Sequence, residues 1–119
     1  MDKYKQIAGL ISDVLVSKIS VQNALSSFPS NKDDDINIKC AFDALMHYEA
    51  DEDIRSKDKE YAQLQDEYLE YLANVLYKGE NLPKEVIARY YKYHQDNLIS
   101  SKEKGFRGFI KYIKRMINF

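Results

Sequence analysis

The stretch HYEADEDIRSKDKE, residues 47–60, is rich in carboxylates. Four of them have the spacing at which a calcium-binding EF-hand loop presents its oxygen ligands, namely Glu49, Asp51, Asp53 and Glu60. The sixth position of such a loop needs a glycine for its sharp turn, and here it is Ile54, a β-branched residue that resists positive φ. We therefore expect no metal in this stretch. No Gly-rich phosphate loop or nucleophile elbow occurs elsewhere, and we expect no cofactor.

A second interpretation makes the same stretch the end of one helix and the start of another. Asp51 and Asp53 each have a cation four residues later, Arg55 and Lys57, which is a favourable pairing on a helix. The helix that follows has two candidate capping residues, Ser56 and Asp58.

A third interpretation makes the stretch a contact face for a basic protein, because its carboxylates outnumber its cations. Exposed tyrosines beside carboxylates add interface area at little cost in entropy. The predicted face consists of Glu49, Asp51, Asp53, Asp66, Glu67, Glu70 and Tyr71.

The chain has 10 Tyr and no Trp. Four tyrosines follow apolar stripes and are predicted to lie in the core or at its edge: Tyr61, Tyr68, Tyr90 and Tyr91. Three others fall off those stripes and are predicted to be exposed: Tyr71, Tyr77 and Tyr93.

The segment GFRGFIKYIKRMINF predicts a cationic amphipathic helix at residues 105–119. Its basic face consists of Arg107, Lys111, Lys114 and Arg115. Such a face suits nucleic-acid phosphates, an anionic membrane surface or an acidic protein, or it is simply solvated. A sequence pI near 6.1 does not favour nucleic acid.

Two histidines, His47 and His94, are the candidates for acid–base catalysis, as in a small nuclease. Asp43 precedes His47 by four residues, the spacing of one helical turn. Unpaired histidines on amphipathic helices are more often structural, and we expect no enzyme activity. The single cysteine, Cys40, lies in an apolar segment and is predicted to be in the core.

The elements that position these residues are predicted to be helices. Apolar residues recur every three or four positions along the chain, which predicts an all-α fold, a single compact antiparallel bundle of five to six helices over residues 1–119. Ser20 and an aspartate of the SNKDDD loop are predicted N-caps, Gly79 a helix end and Pro83 a helix start. No signal peptide or membrane span is expected, and one cysteine favours a reducing, cytoplasmic location.

Charge is distributed unevenly along the chain. Residues 1–71 carry fifteen acidic and eight basic side chains, a net of −7, and residues 72–119 carry four acidic and ten basic ones, a net of +6. Either the molecule is polarised or the two halves neutralise each other in the fold, and the sequence leaves both outcomes open.

These patterns favour a non-catalytic protein-binding module. Its most concrete form is an immunity or antitoxin-type inhibitor that masks a basic nuclease toxin with the acidic, tyrosine-bearing face. The alternatives are a nucleic-acid-associated regulator that uses the basic C-terminal helix and, third, a histidine-dependent nuclease.

Overall fold

The computed structural model describes residues 3–31, 34–96, 102–117 and 119, with the side chains of 93–96 and 102–104 left outside the description. Most of the described residues are helical, and none of them lies in a strand. They form seven helices: α1 (Lys3–Leu15), α2 (Val21–Ser26), α3 (Ile36–Ala50), α4 (Glu52–Lys57), α5 (Lys59–Tyr77), α6 (Lys84–Asp96) and α7 (Lys102–Ile117). The radius of gyration, 13.4 Å, is that of a compact chain of this length.

The structure has more helices than the five or six predicted, because the carboxylate-rich stretch forms a short helix of its own, α4. No residue of α4 is buried. A six-residue helix without an apolar stripe leaves little periodic signal in the sequence, so no separate helix was predicted here.

The predicted helix boundaries are confirmed where capping chemistry marks them. The side chains of Ser20 and Asp58 accept hydrogen bonds from the backbone N–H groups three residues on, at 3.0 and 3.1 Å. Asp35 supplies the cap of α3. These acceptors satisfy N–H groups that have no partner within the helix.

Helices α1 and α5 end in the same way but with different residues. Gly79 has φ 75° after α5, and Ser17 has φ 61° after α1. In both, the residue with positive φ and the next one donate to the last-turn carbonyls, as in a Schellman motif. Glycine adopts this conformation without strain, whereas the Cβ atom of Ser17 makes it unfavourable. The glycine was recognised in the sequence and the serine was not.

Helix α5 is the centre of the core. It contacts α1, α3, α4 and α7, and its most extensive packing is against α1. The core side chains of α5 follow the predicted stripe and include Tyr61, Tyr68, Leu72 and Leu76. Tyr91 does not follow the prediction of core or core edge, since about half of it is exposed. None of the helices in the described part has the length and apolar character needed to cross a membrane.

Candidate functional site

Six exposed carboxylates lie between the last turn of α3 and the middle of α5, and we call them the acidic corner: Glu49, Glu52, Asp53, Glu60, Asp66 and Glu70. The short helix α4 brings the end of α3 next to the start of α5. The Tyr48 hydroxyl donates to Asp66 Oδ1 at 2.9 Å, which holds Asp66 against the last turn of α3. Glu70 lies one turn further along the same side of α5.

The carboxylates of the acidic corner form no salt bridge with any cation among the described residues. Glu49 accepts a hydrogen bond from Gln22 Nε2 at 3.3 Å, and Asp66 accepts the one from Tyr48. Both donors are neutral, so neither hydrogen bond offsets the charge of the carboxylate that accepts it.

Asp51 was predicted to belong to the exposed acidic face, but the structure buries it. Its side chain is only 7% exposed. Tyr61 Oη donates to Asp51 Oδ2 at 2.6 Å, and Gln65 Nε2 donates to the same atom at 3.4 Å. The reason is the break between α3 and α4, which falls at Asp51 and turns its carboxylate toward the buried side of α5.

The same break changes the partner of Arg55. A continuous helix would pair it with Asp51, but its Nη1 donates to the Tyr48 carbonyl oxygen and, at 3.2 Å, to Gln65 Oε1. The guanidinium carbon lies 3.5 Å from the centre of the Tyr48 ring. The stacking and the hydrogen bond to the backbone hold the Arg55 guanidinium beside the acidic corner. Tyr48 is therefore the aromatic residue of the corner.

Tyr48 was not among the predicted site residues. Burial and the hydrogen bond to Asp66 raise the pKa of its phenol above the usual range. The only signal in the sequence is its place beside Glu49 in the last turn of a helix, which is too weak to single it out.

Glu67 contacts α7, and Tyr71 contacts Phe119 beyond the end of that helix. Lys114 Nζ donates to Glu67 Oε1 at 2.6 Å, and this hydrogen bond holds the pKa of Glu67 below its usual range. The Tyr71 ring stacks on Phe119 with centroids 4.9 Å apart. The structure therefore does not bring these two predicted residues together with Glu49 and Asp53, and Tyr71, predicted to be exposed, is half-buried.

The predicted basic face is divided in the same way. Arg107 Nη2 lies 2.7 Å from Asp58 Oδ2, and its guanidinium carbon lies 4.6 Å from the centre of the Tyr61 ring. The hydrogen bond from Arg107 lowers the pKa of Asp58. Lys111 and Arg115 remain exposed. The acidic and basic parts of the chain thus neutralise each other in part, along the seam between α5 and α7.

The candidate catalytic histidine that the structure describes is a core residue. His47 is 8% exposed, and its ring is stacked on Phe106 with centroids 4.2 Å apart. Its Nε2 lies 3.7 Å from Asp43 Oδ2, as the spacing in the sequence predicted. The side chain of His94 lies outside the described residues.

The EF-hand window is not an open loop, because α4 occupies its middle. Among the side chains that the structure describes, no three His, Cys, Asp or Glu residues converge to hold a metal ion. Cys40 is buried as predicted, and burial raises the pKa of its thiol to about 12.

Comparisons with protein-family models, with curated proteins and with solved structures find no match to this chain, so its function is argued from its own residues.

Proposed function

We propose that this chain is a non-catalytic protein-binding module whose acidic corner binds a basic protein, in the manner of an immunity or antitoxin-type inhibitor that masks a nuclease toxin. The observation that carries the proposal is the set of exposed carboxylates at the α3–α4–α5 junction that form no salt bridge among the described residues. The contact residues are Glu49, Asp53, Asp66 and Glu70, with Tyr48 in place of Tyr71 as the aromatic.

Charge of one sign on a small surface favours rapid capture of a partner of opposite sign. Steering of this kind raises association rates by 10- to 1,000-fold or so, and it weakens as salt shortens the Debye length. Tyr48 adds a flat aromatic surface, half-buried and stacked by Arg55, that a partner would bury at low entropic cost. The proposal assigns the carboxylates to the rate of association and Tyr48 to the lifetime of the complex.

The test is affinity capture from the native host followed by titration of the purified partner. A charge-reversed variant, Glu49→Lys/Asp53→Lys/Glu70→Lys, is compared with a matched surface variant on α7, Lys111→Glu/Arg115→Glu. We expect the wild type and the α7 variant to retain a basic protein. The corner variant should fail to retain the basic protein in the capture experiment. In the titration with the purified partner, the association rate that remains for this variant should depend little on salt. Equal capture by the wild type and the corner variant would contradict the proposal.

The competing proposal is a nucleic-acid-associated regulator that uses α7. Two observations support it: Lys111 and Arg115 are exposed, and Tyr112 between them is exposed as well. Against it, Arg107 and Lys114 already pair with carboxylates of the chain. Filter binding with RNA and duplex DNA at two salt concentrations separates the two proposals, because the phosphate contacts of α7 would give a steep loss of affinity with salt.

A histidine-dependent nuclease is the weakest of the three proposals. His47 has little exposed surface and one ring face covered by Phe106. A general base must reach the proton that it removes. Replacement of His47 by Gln in a nuclease assay tests this proposal, which requires activity in the wild type and its loss in the variant. We propose a cytoplasmic location together with the inhibitor function, and detection of the chain in the cytosolic fraction of the host would test it.

A further inference from the structure

A small cavity lies where α3, α5, α6 and α7 meet. It has about 20 Å³ open to the centre of a water molecule. A cavity needs roughly 10–15 Å³ by this measure to hold one water, so there is room for one water and not for a larger ligand. Its wall is partly apolar, with Phe106 and Phe109, and partly polar, with Cys40, Asp43 and Tyr68.

Tyr68 has a buried hydroxyl without a hydrogen-bond partner among the described residues. The residue is 3% exposed, and its ring meets Phe106 and Phe109 edge-on, with centroids 5.8 and 6.0 Å apart. Both aromatic contacts involve the ring and leave the hydroxyl unsatisfied. A buried hydroxyl without a partner is unfavourable by a few kcal/mol or so, and native proteins rarely keep one.

Tyr68 lines the cavity together with Cys40, Asp43 and Arg89. Burial raises the pKa of the phenol most, and the charge of Asp43 raises it further whereas that of Arg89 lowers it; both residues line the cavity. A water molecule in this space would have the two to four polar neighbours that buried waters have, drawn from helices α3, α5 and α6.

We propose that this cavity is a binding site for one ordered water molecule, held by the Tyr68 hydroxyl together with the polar groups of α3 and α6. The water completes the hydrogen bonding of Tyr68 and links α5 to the polar groups of α3 and α6. The site is separate from the acidic corner, and it stands whether or not the corner binds a partner.

The test uses Tyr68→Phe, because the sign of its effect distinguishes a filled site from an unsatisfied hydroxyl. With the water in place, the substitution removes one of its hydrogen bonds, and the equilibrium constant for unfolding should rise about 3- to 10-fold. Without the water, Phe removes a buried polar group that has no partner, and the constant should stay the same or fall. The constant is measured by urea denaturation.

Tyr77→Phe is the matched control, since Tyr77 lies on the same helix with 60% of its surface exposed, and its unfolding constant should not change. A crystal structure of the wild type at high resolution provides the second measurement. A water within hydrogen-bonding distance of Tyr68 Oη is expected. An empty cavity, or a Tyr68→Phe variant as stable as the wild type or more stable, would overturn the proposal.

Discussion

The acidic corner and the basic helix α7 are both dense in charge of one sign, yet they differ in what the fold does with that charge. In the corner, six carboxylates are exposed and without a salt bridge among the described residues. In α7, two of the four predicted basic residues, Arg107 and Lys114, are paired with carboxylates of α5 and its cap.

The difference follows from the apolar residues that accompany the charges. Helix α7 buries Phe106, Ile110 and Ile113 in the core, and this burial carries the cations at its flanks onto the acidic surface of α5. No residue of α4 is fully buried, and its carboxylates remain exposed. Apolar burial thus decides which charges meet, since an exposed ion pair contributes about 1 kcal/mol or less and a buried side chain contributes more.

The largest effect that tests this comparison is expected for Ile110→Ala. Ile110 is fully buried on α7, and the substitution should lower the free energy of unfolding by about 2–5 kcal/mol. Met116→Ala on the exposed side of the same helix is the control, with an expected loss of about 1 kcal/mol or less. Urea denaturation measures both. Equal, small losses would mean that α7 is not anchored by its apolar stripe.

The next effect concerns Asp51, the buried carboxylate at the break between α3 and α4. Asp51→Ala removes the acceptor of Tyr61 and Gln65 and should lower the free energy of unfolding by about 2 kcal/mol, because both donors are left buried. Asp53→Ala, two residues away and exposed, should change it by less than about 0.5 kcal/mol. If the two variants are equally stable in thermal or urea unfolding, Asp51 is a surface residue as the sequence suggested.

A smaller effect is expected at the seam between α5 and α7, and it depends on pH. The folded-state pKa values of Asp58 and Glu67 lie below their unfolded values, so the stabilisation is fully present above the unfolded pKa, near 4, and is lost as pH falls through the folded values. Lys114→Ala should cost about 0.5 kcal/mol at pH 7. Between pH 5 and 2, the free energy of unfolding of Arg107→Ala/Lys114→Ala should fall less than that of the wild type. If the two fall in parallel with pH, the Asp58–Arg107 and Glu67–Lys114 pairs contribute nothing to stability.

The smallest effect is expected for neutral substitutions in the acidic corner. Glu49→Gln/Asp53→Asn/Glu70→Gln should raise the free energy of unfolding by a few tenths of a kcal/mol at low salt, because like charges are removed, and the gain should vanish near 0.5 M salt or so. Destabilisation at all salt concentrations would show that these carboxylates have partners in the folded chain.

Several parts of the fold were predictable because local chemistry marks them. Ser20, Asp35 and Asp58 cap helices, and Gly79 ends one, since each residue type suits the backbone at that point. Ser17 was not predictable as a helix end with positive φ, because serine has no preference for that conformation.

The exposure of the candidate site residues was predicted only in part. Glu49, Asp53, Asp66 and Glu70 are exposed, in agreement with the predicted surface position, whereas Asp51, Glu67 and Tyr71 are buried or engaged with neighbours. The prediction treated residues 47–60 as two helix ends. It had no means of locating the break at Asp51, on which the direction of that side chain depends.

The sequence by itself determined the helical class, most helix boundaries and the buried stripes, because these depend on spacing and on capping groups a few residues apart. Only the tertiary structure decided which charges are paired, which carboxylate is buried and that Tyr48 stands beside Asp66. Those outcomes depend on side chains far apart in the chain, such as Asp58 and Arg107, that meet only when apolar helix faces pack together.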